Sequence, residues 1–312
     1  MNTYFNEVKK NFGFGCMRLP MNSEEVDYEL TSKMVDYFIQ QGFNYFDTAH
    51  GYLGGKSEIA LKECLTSRYP RNQYILTNKL STHHFNKQEE IFPLFESQLE
   101  ACGVDYFDFY LMYAQSDEIY AKYKKLHAYD EASKLKEEGK IKHFEISFHD
   151  NADVLDMILT ENPDIEVVQI QFNYVDYEDP AIQRKACYEV CRKHNKPVIV
   201  MEPVKGGMLA NPPKNSNLTA DASLALRFCG ELDGVLAILS EMSNLTQVKQ
   251  NIESMKDFQP LSNEEKAYIE KLTVAYKQGG PLGNIDFNQY KDVKPHGISL
   301  ASLLETYNSC MI

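Results

Sequence analysis

FGFGCMRLPMNSEE, residues 12 to 25, begins as a short apolar run and leaves it through Arg18, Pro20 and a polar turn. The segment that follows, EEVDYELTSKMVDYFIQQG (24–42), places its apolar residues at helical spacing. In an open, doubly wound α/β sheet the first strand would instead turn into its helix through G-x-G-x-x-G, and that signature is missing here. Working outward, apolar and β-rich runs recur as FNYFD (43–47), QYILTNK (73–79), YFDFYLMY (106–113), KHFEISF (142–148), EVVQIQF (166–172), PVIVMEP (197–203) and GVLAILS (234–240). Each is followed by a helical pattern. Eight strand-helix units, with strands apolar on both faces, predict a parallel sheet closed into a (β/α)8 TIM barrel, with the open sheet as its competitor.

The chain has 312 residues, a length that such a barrel fills as a single core with some excess. Its formal net charge of -13 argues against nucleic acid as a partner. The N-terminal stretch carries no basic segment leading into an apolar core, and no run is long enough for a membrane span; both point to a cytoplasmic protein that does not engage a membrane. Seven cysteines, Cys16, Cys64, Cys102, Cys187, Cys191, Cys229 and Cys310, lack the spacing of a zinc or disulfide framework and are expected as thiols. Cys187 and Cys191 share a helix face, but no second pair stands near them to complete a metal site. Beyond residue 255, SNEEKAYIEKLTVAYKQ (262–278) reads as an amphipathic helix capped by Ser262 or Asn263. A Gly/Pro loop and a terminal helix over ISLASLLETYN follow. The expected division is a barrel over 1–255 and a C-terminal helical extension over 256–312.

In a barrel of this kind the chemistry gathers where the strands end at their C-termini. The second run ends in Asp47 and continues through Thr48 to Tyr52; the third ends with Lys79, the fourth with Tyr113, and the fifth with Ser147 and His149. A lysine closing an apolar strand needs an anion, which Asp47 on the adjacent strand supplies. The ammonium would also lower the pKa of Tyr52 and make it a general acid. A structural ion pair beside a rim tyrosine is the plain alternative.

The motifs FDTAHGYLGGKSE (46–58), ILTNKLS (75–81), VDYFDFYLM (104–112), LKEEGKIKHFEISFHD (135–150), IQFNYVD (170–176), VMEPVKGGMLA (200–210) and LSEMSNLTQVKQNIE (239–253) occur in order, one at each barrel strand after the first. Together they resemble the aldo-keto reductase family, over about residues 12 to 255. The likeness is to its bacterial branch with an iron-sulfur region after the barrel. The resemblance implies a catalytic tetrad at Asp47, Tyr52, Lys79 and Tyr113, where the fourth position usually carries histidine. A phenol there donates one hydrogen bond but lacks the second imidazole nitrogen, so carbonyl reduction is expected to be slowed or redirected.

The resemblance also implies a cofactor cleft. Ser147 and Gln169 match the positions that hold the nicotinamide carboxamide, and Met201 the position that stacks on the ring. Pro203, Val204, Lys205, Gly206 and Gly207 match the loop beside the pyrophosphate, and Met17 and Arg18 are further expected cofactor contacts. Ser240, Met242, Ser243, Gln247, Gln250 and Asn251 match the adenosine segment. Gln247 and Gln250 stand where many relatives carry Arg and Glu, so NADPH is expected with a weak preference and NADH is allowed. Relatives in this branch carry clustered cysteines before the terminal segment, whereas AYKQGGPLGNIDFNQYKDVKPHG (275–297) has none. The extension is therefore expected as a degenerate ferredoxin-like remnant with no iron-sulfur cluster and no metal. The implied function is NAD(P)H-dependent reduction of a small-molecule carbonyl or conjugated double bond, with Tyr52 as proton donor. A nicotinamide-binding protein with impaired turnover, acting as a redox-responsive partner, is the alternative. The sequence leaves the oligomeric state open.

Overall fold

The computed structural model describes residues 4–214 and 216–279, and beyond them 290, 293, 294, 299, 300, 303 and 304. Eight parallel strands close on themselves: β1 (Phe12–Gly15), β2 (Tyr45–Asp47), β3 (Ile75–Leu80), β4 (Phe107–Gln115), β5 (Ile141–Phe148), β6 (Val167–Gln171), β7 (Val198–Met201) and β8 (Val235–Glu241). The barrel closes where β1 pairs with β8, in a register that sets Phe12 beside Ile238 and Gly15 beside Glu241. All eight expected strands are present, with ends shifted by up to two residues.

Helices α1 (Tyr28–Gln40) to α9 (Leu245–Lys256) follow in order: α2 (Lys56–Leu61), α3 (Ile91–Cys102), α4 (Asp117–Lys125), α5 (Ala128–Glu137), α6 (Ala152–Glu161), α7 (Arg184–Lys193) and α8 (Ala222–Gly230). The unit after β4 contains two helices, because His127 adopts φ 54° between α4 and α5 and breaks the run. Side-chain caps start several of these helices, and each satisfies an amide that the first turn leaves without a partner. Asp27 accepts from Leu30, Asn151 from Asp153 and Val154, and Asp221 from Leu224.

The strands are buried on both faces, which explains their continuous apolar sequence. Outward residues such as Phe14, Phe46, Leu76, Ile146, Val168 and Val200 pack beneath the helices. Inward residues Tyr45, Ile75, Phe109, Val167, Ile199, Ala237 and Leu239 fill the lower barrel, with Val8 beneath them. Gly13 faces this filling: a Cβ there would lie 2.6 Å from Leu239 Cδ2 and 3.0 Å from Tyr45 Cδ1, so no larger residue fits without displacing the layer.

A tenth helix, α10 (Asn263–Gln278), carries a capping box between Ser262 and Glu265, which decides the cap in favour of Ser262. It buries Ile269, Leu272 and Tyr276 against Tyr174, Val175, Leu209, Leu224 and Ala225. Arg227 of α8 grips Glu265 at 2.7 and 2.8 Å. Most of the terminal helix expected over 298–308, and Cys310, lie outside the described residues. The other six cysteines are free thiols, all buried. Among the described residues no helix is long and apolar enough to cross a membrane.

Candidate active site

The C-terminal end of β2 delivers Asp47 to the barrel mouth, and the end of β3 delivers Lys79. The Lys79 side chain is fully buried, its Nζ 2.5 Å from Asp47 Oδ1 and 2.8 Å from the Thr48 carbonyl. The second oxygen of Asp47 accepts from Gln169 Nε2 at 3.2 Å. The pair is thus desolvated and its hydrogen-bonding groups are answered, the condition under which a buried ion pair persists. Beneath it Glu145 is wholly buried with neither carboxyl oxygen hydrogen-bonded, and burial with the nearby Asp47 pushes its pKa well above the carboxylate range.

Tyr52 is placed by the loop that opens α2. Leu53, Gly54 and Gly55 adopt φ of 53°, 66° and 90°, so the two glycines answer a run of left-handed backbone that bends the chain back over the barrel. Ser57 fastens the loop by donating to the Cys16 carbonyl at 2.8 Å. Buried Glu58 fastens it further, accepting from Asn78 and meeting His50 Nδ1, both at 2.8 Å. The Lys79 ammonium lies 4.9 Å from the centroid of the Tyr52 ring.

The expected lowering of the Tyr52 pKa is not what the structure shows. Burial first, then the Asp47 carboxylate and the adjacent Tyr113 phenol, hold it well above the ordinary tyrosine value. Asp47 neutralises the ammonium that was to favour phenolate, and what remains of its charge lies over the ring, 4.9 Å from the centroid. Tyr113 sits near the end of β4, where the strand bulges at Ala114 (φ 57°). Its amide donates to the Tyr123 hydroxyl at 3.2 Å, and its ring lies edge-on to His149, 6.5 Å between centroids.

A cleft of about 600 Å³ extends from the mouth between β7, β8, α8 and α9. Of the residues expected to hold a cofactor, Arg18, Pro203, Val204, Gly206, Gly207, Ser240, Ser243, Gln247, Gln250 and Asn251 line it. Ser147 and Gln169 lie at the ends of β5 and β6: Ser147 Oγ accepts from the Ala114 amide at 2.7 Å, and Gln169 is bonded to Asp47. Met201 is half-buried at the end of β7.

Three expected residues lie elsewhere. Met242 is fully buried in the core, Met17 is 41% exposed off the cleft, and Lys205 faces a neighbouring cavity, where Asp176 holds its ammonium at 2.8 Å. Lys205 itself adopts left-handed backbone (φ 48°), next to Gly206 and Gly207.

Sequence reading missed the acids of this cleft. Glu202, Asp221, Glu241 and Glu253 all line it. Arg18 Nε holds Glu241 at 2.7 Å and its Nη2 lies 3.6 Å from Glu202, while Glu202 also accepts from the Gly206 amide at 2.6 Å. Burial and Glu202 push the Glu241 carboxyl up to about 7, against the pull of Arg18. Glu241 ends a barrel strand as Asp47 does, and that position was the available signal. The Gly206–Gly207 turn, with φ of 63° and 93° and open space beside Gly207, leaves the backbone approachable as a pyrophosphate requires. The polar, uncharged Ser243, Gln247, Gln250 and Ser254 suit an adenosine end. Among the described lining residues the only cation is Arg18.

Residues 11–221, well over half of the chain, match the model of the aldo/keto reductase family. Across nearly its whole length the chain resembles the 9,11-endoperoxide prostaglandin H2 reductase of Trypanosoma cruzi, 23% identical over 90% of this chain and 94% of that protein. A shorter match, 38% identical over 66 residues, is to norsolorinic acid reductase B of Dothistroma septosporum; it spans 21% of this chain and 17% of that protein. Among solved structures, the holo form of an aldo-keto reductase of Bacillus halodurans superposes with a TM-score of 0.65 at 23% identity, covering 84% of this chain and 91% of that one. An aldo/keto reductase of Klebsiella pneumoniae in complex with NADP and acetate gives 0.66 at 20% identity, over 84% and 91%. With the family model matched over most of the barrel, the chain belongs to the aldo/keto reductase family.

Proposed function

We propose that this chain is an NAD(P)H-dependent oxidoreductase that reduces a small-molecule carbonyl or conjugated double bond, with Tyr52 as the proton donor. The observation that carries the reading is the buried Asp47–Lys79 pair beneath Tyr52, at a barrel mouth that opens into a glycine-turned cleft. Such a pair has little structural use at an open mouth, where its desolvation is not repaid by fold stability. The NADP complex of the Klebsiella pneumoniae neighbour supports the cofactor class.

In this reading Ser147 and Gln169 orient the nicotinamide carboxamide, Gly206, Gly207 and Arg18 take the pyrophosphate, and Ser240, Ser243, Gln247, Gln250 and Asn251 hold the adenosine. The bound cofactor supplies hydride to the substrate carbon. Tyr52 gives its proton to the substrate oxygen, Lys79 and Asp47 hold Tyr52 and the field around it, and Tyr113 offers the second hydrogen bond. With Arg18 the only cation among the described residues that line the cleft, selection for the 2'-phosphate is weak, so NADPH is used with a weak preference and NADH is allowed. The segment after residue 255 is read as a metal-free remnant of an iron-sulfur extension, and the protein as cytoplasmic.

Tyr113 at the position usual for histidine favours a second reading, a nicotinamide-binding protein with impaired turnover. One experiment separates the two. Calorimetric titration with NADPH is followed by NADPH oxidation against a panel of aldehydes, ketones and enones. Turnover supports the reductase, binding alone supports the second reading, and no binding at millimolar cofactor removes both.

A further inference from the structure

A second cavity, of about 770 Å³, opens among the loops that follow β5, β6 and β7, and shares Arg18, Glu202 and Gly206 with the cleft. Its acids are all engaged. Asp150 accepts from the Asp117 and Asn151 amides at 3.0 and 2.8 Å. Asp176 accepts from Lys205 at 2.8 and 3.1 Å and from Asn173 at 2.9 Å. Glu202 is held by Gly206 and Arg18.

The cations Lys205 and Arg18 are thereby answered, and Arg184 is not. Its Nε and Nη1 are buried with no hydrogen-bond partner, and no carboxylate among the described residues forms an ion pair with it. Arg184 as a whole stays partly exposed and lines the cavity, and burial lowers its pKa against the opposing charge of Asp176; buried guanidinium nitrogens without a bonded anion are costly. The preceding Gln183 is held at φ 58° while its side chain accepts from the Ala152 amide at 3.3 Å, which ties the start of α7 to α6 and fixes Arg184 against the cavity.

The cavity lies one side chain from Tyr113, because His149 lines it and stands edge-on to Tyr113. We propose that Arg184 binds a carboxylate carried by the substrate, so that the substrate class is a small carbonyl compound with a carboxylate several bonds from the reacting carbon. This deepens the reductase reading and rests on it for the carbonyl. A planar guanidinium matches a carboxylate better than an ammonium would, and no such bond forms with the uncharged analogue.

The test compares 4-carboxybenzaldehyde with 4-methylbenzaldehyde, which is similar in shape and uncharged. In the wild type, KM for the charged aldehyde is expected to be about tenfold lower, and rising salt should erode that advantage. Arg184→Met should bring the two KM values together, and Arg184→Lys should restore part of the difference. A wild type with no preference or no salt effect, or an Arg184→Met protein that keeps the preference, overturns the inference.

If neither aldehyde is reduced, the reductase reading fails and the inference is judged by binding. Calorimetry of 4-methylbenzoate against the protein saturated with oxidised cofactor, or against the protein alone if cofactor does not bind, should then show at least a tenfold loss in Arg184→Met. Binding independent of Arg184, or no binding, overturns it. Thermal melting verifies that each variant is folded, and the wild-type salt dependence, read on KM or on benzoate affinity, decides the matter if neither variant folds.

Discussion

Lys79 stands over the face of the Tyr52 ring, 4.9 Å from its centroid, with its ammonium committed to Asp47 and the Thr48 carbonyl. The phenol therefore keeps its proton: burial and the Asp47 charge hold it well above the ordinary tyrosine value. A group that stays protonated through neutral pH still holds a proton for a developing alkoxide, a much stronger base, but the raised value makes it a weaker acid than the lowered one expected from the sequence, and it is poorly suited to accepting from an alcohol. Reduction should show no limb from Tyr52 ionisation between about pH 6 and 9, the range below the ordinary phenol pKa. Tyr52→Phe should lower kcat by about 10² to 10⁴. A falling rate near pH 8 that disappears in Tyr52→Phe would refute this assignment.

The ion pair itself gives a stability prediction whose sign separates structure from function. Asp47→Leu leaves the Lys79 charge buried and unpaired, and Lys79→Met does the same to Asp47, each at about 3 to 5 kcal/mol. The double variant Asp47→Leu/Lys79→Met removes both charges and should melt above either single variant, with strong positive coupling. It should be inactive all the same. Thermal melting of the four proteins decides the matter, and additive losses would show that the pair is not isolated from water.

Tyr113→His tests the proposed departure, a tyrosine at the fourth position of the proposed tetrad. If the pocket keeps its family geometry, an imidazole beside Tyr52 should raise reduction of simple aldehydes by about 10². Adding Tyr52→Phe should abolish the gain. An unchanged rate with cofactor binding intact would mean that the pocket has been rebuilt around the phenol for another reaction.

Glu241 predicts how cofactor affinity follows pH. Its carboxyl titrates at about 7, so below that pH it is neutral and leaves Arg18 free to meet a phosphate; above it, the carboxylate reclaims Arg18 and repels the anion. Dissociation constants for NADPH should rise several-fold between about pH 6 and 8 in keeping with ordinary screening of partly buried charges, and Glu241→Gln should flatten that dependence. Fluorescence titration of the bound nicotinamide supplies the measurement. An equal slope in both proteins would assign the titration to another group.

The purified protein should contain no stoichiometric iron or acid-labile sulfide, since after residue 255 the sequence offers Cys310 alone and a cluster ordinarily needs four ligands. Anaerobic purification followed by iron and sulfide assay is the check. Iron at cluster stoichiometry would place ligands among residues that have not been assigned.

What was legible in the sequence followed periodicity. Each strand is buried on two faces, so its apolar run survives as a contiguous signal, and the exit residues Asp47, Tyr52 and Lys79 stand out against it. Which polar side chains pair was not legible, because pairing depends on partners far apart in the chain. Arg18 reaches Glu241 across the closing seam, and Lys205 is drawn to Asp176 instead of the cleft. The direction of the Tyr52 shift was misread for the same reason: the sequence shows a cation nearby but not how fully it is neutralised or which part of the ring it faces. The break between α4 and α5 at His127 also left no signal, since nothing about histidine demands a left-handed backbone.

The seam between Phe12 and Ile238 has a consequence for how the molecule is made. Of the barrel strands the first to be made has one flank satisfied as soon as Tyr45–Asp47 emerges, but its other flank waits for Val235–Glu241, more than two hundred residues after Phe12–Gly15. Until then Gly13 and Gly15, with no side chains of their own to shield it, present an unpaired strand edge to whatever is nearby. Synthesis of the barrel therefore includes a long interval in which its oldest strand is the most available for wrong pairing. At about 5 to 20 residues per second that interval lasts on the order of ten seconds or more, and it makes the nascent chain, more than the finished one, the species that chaperones would meet.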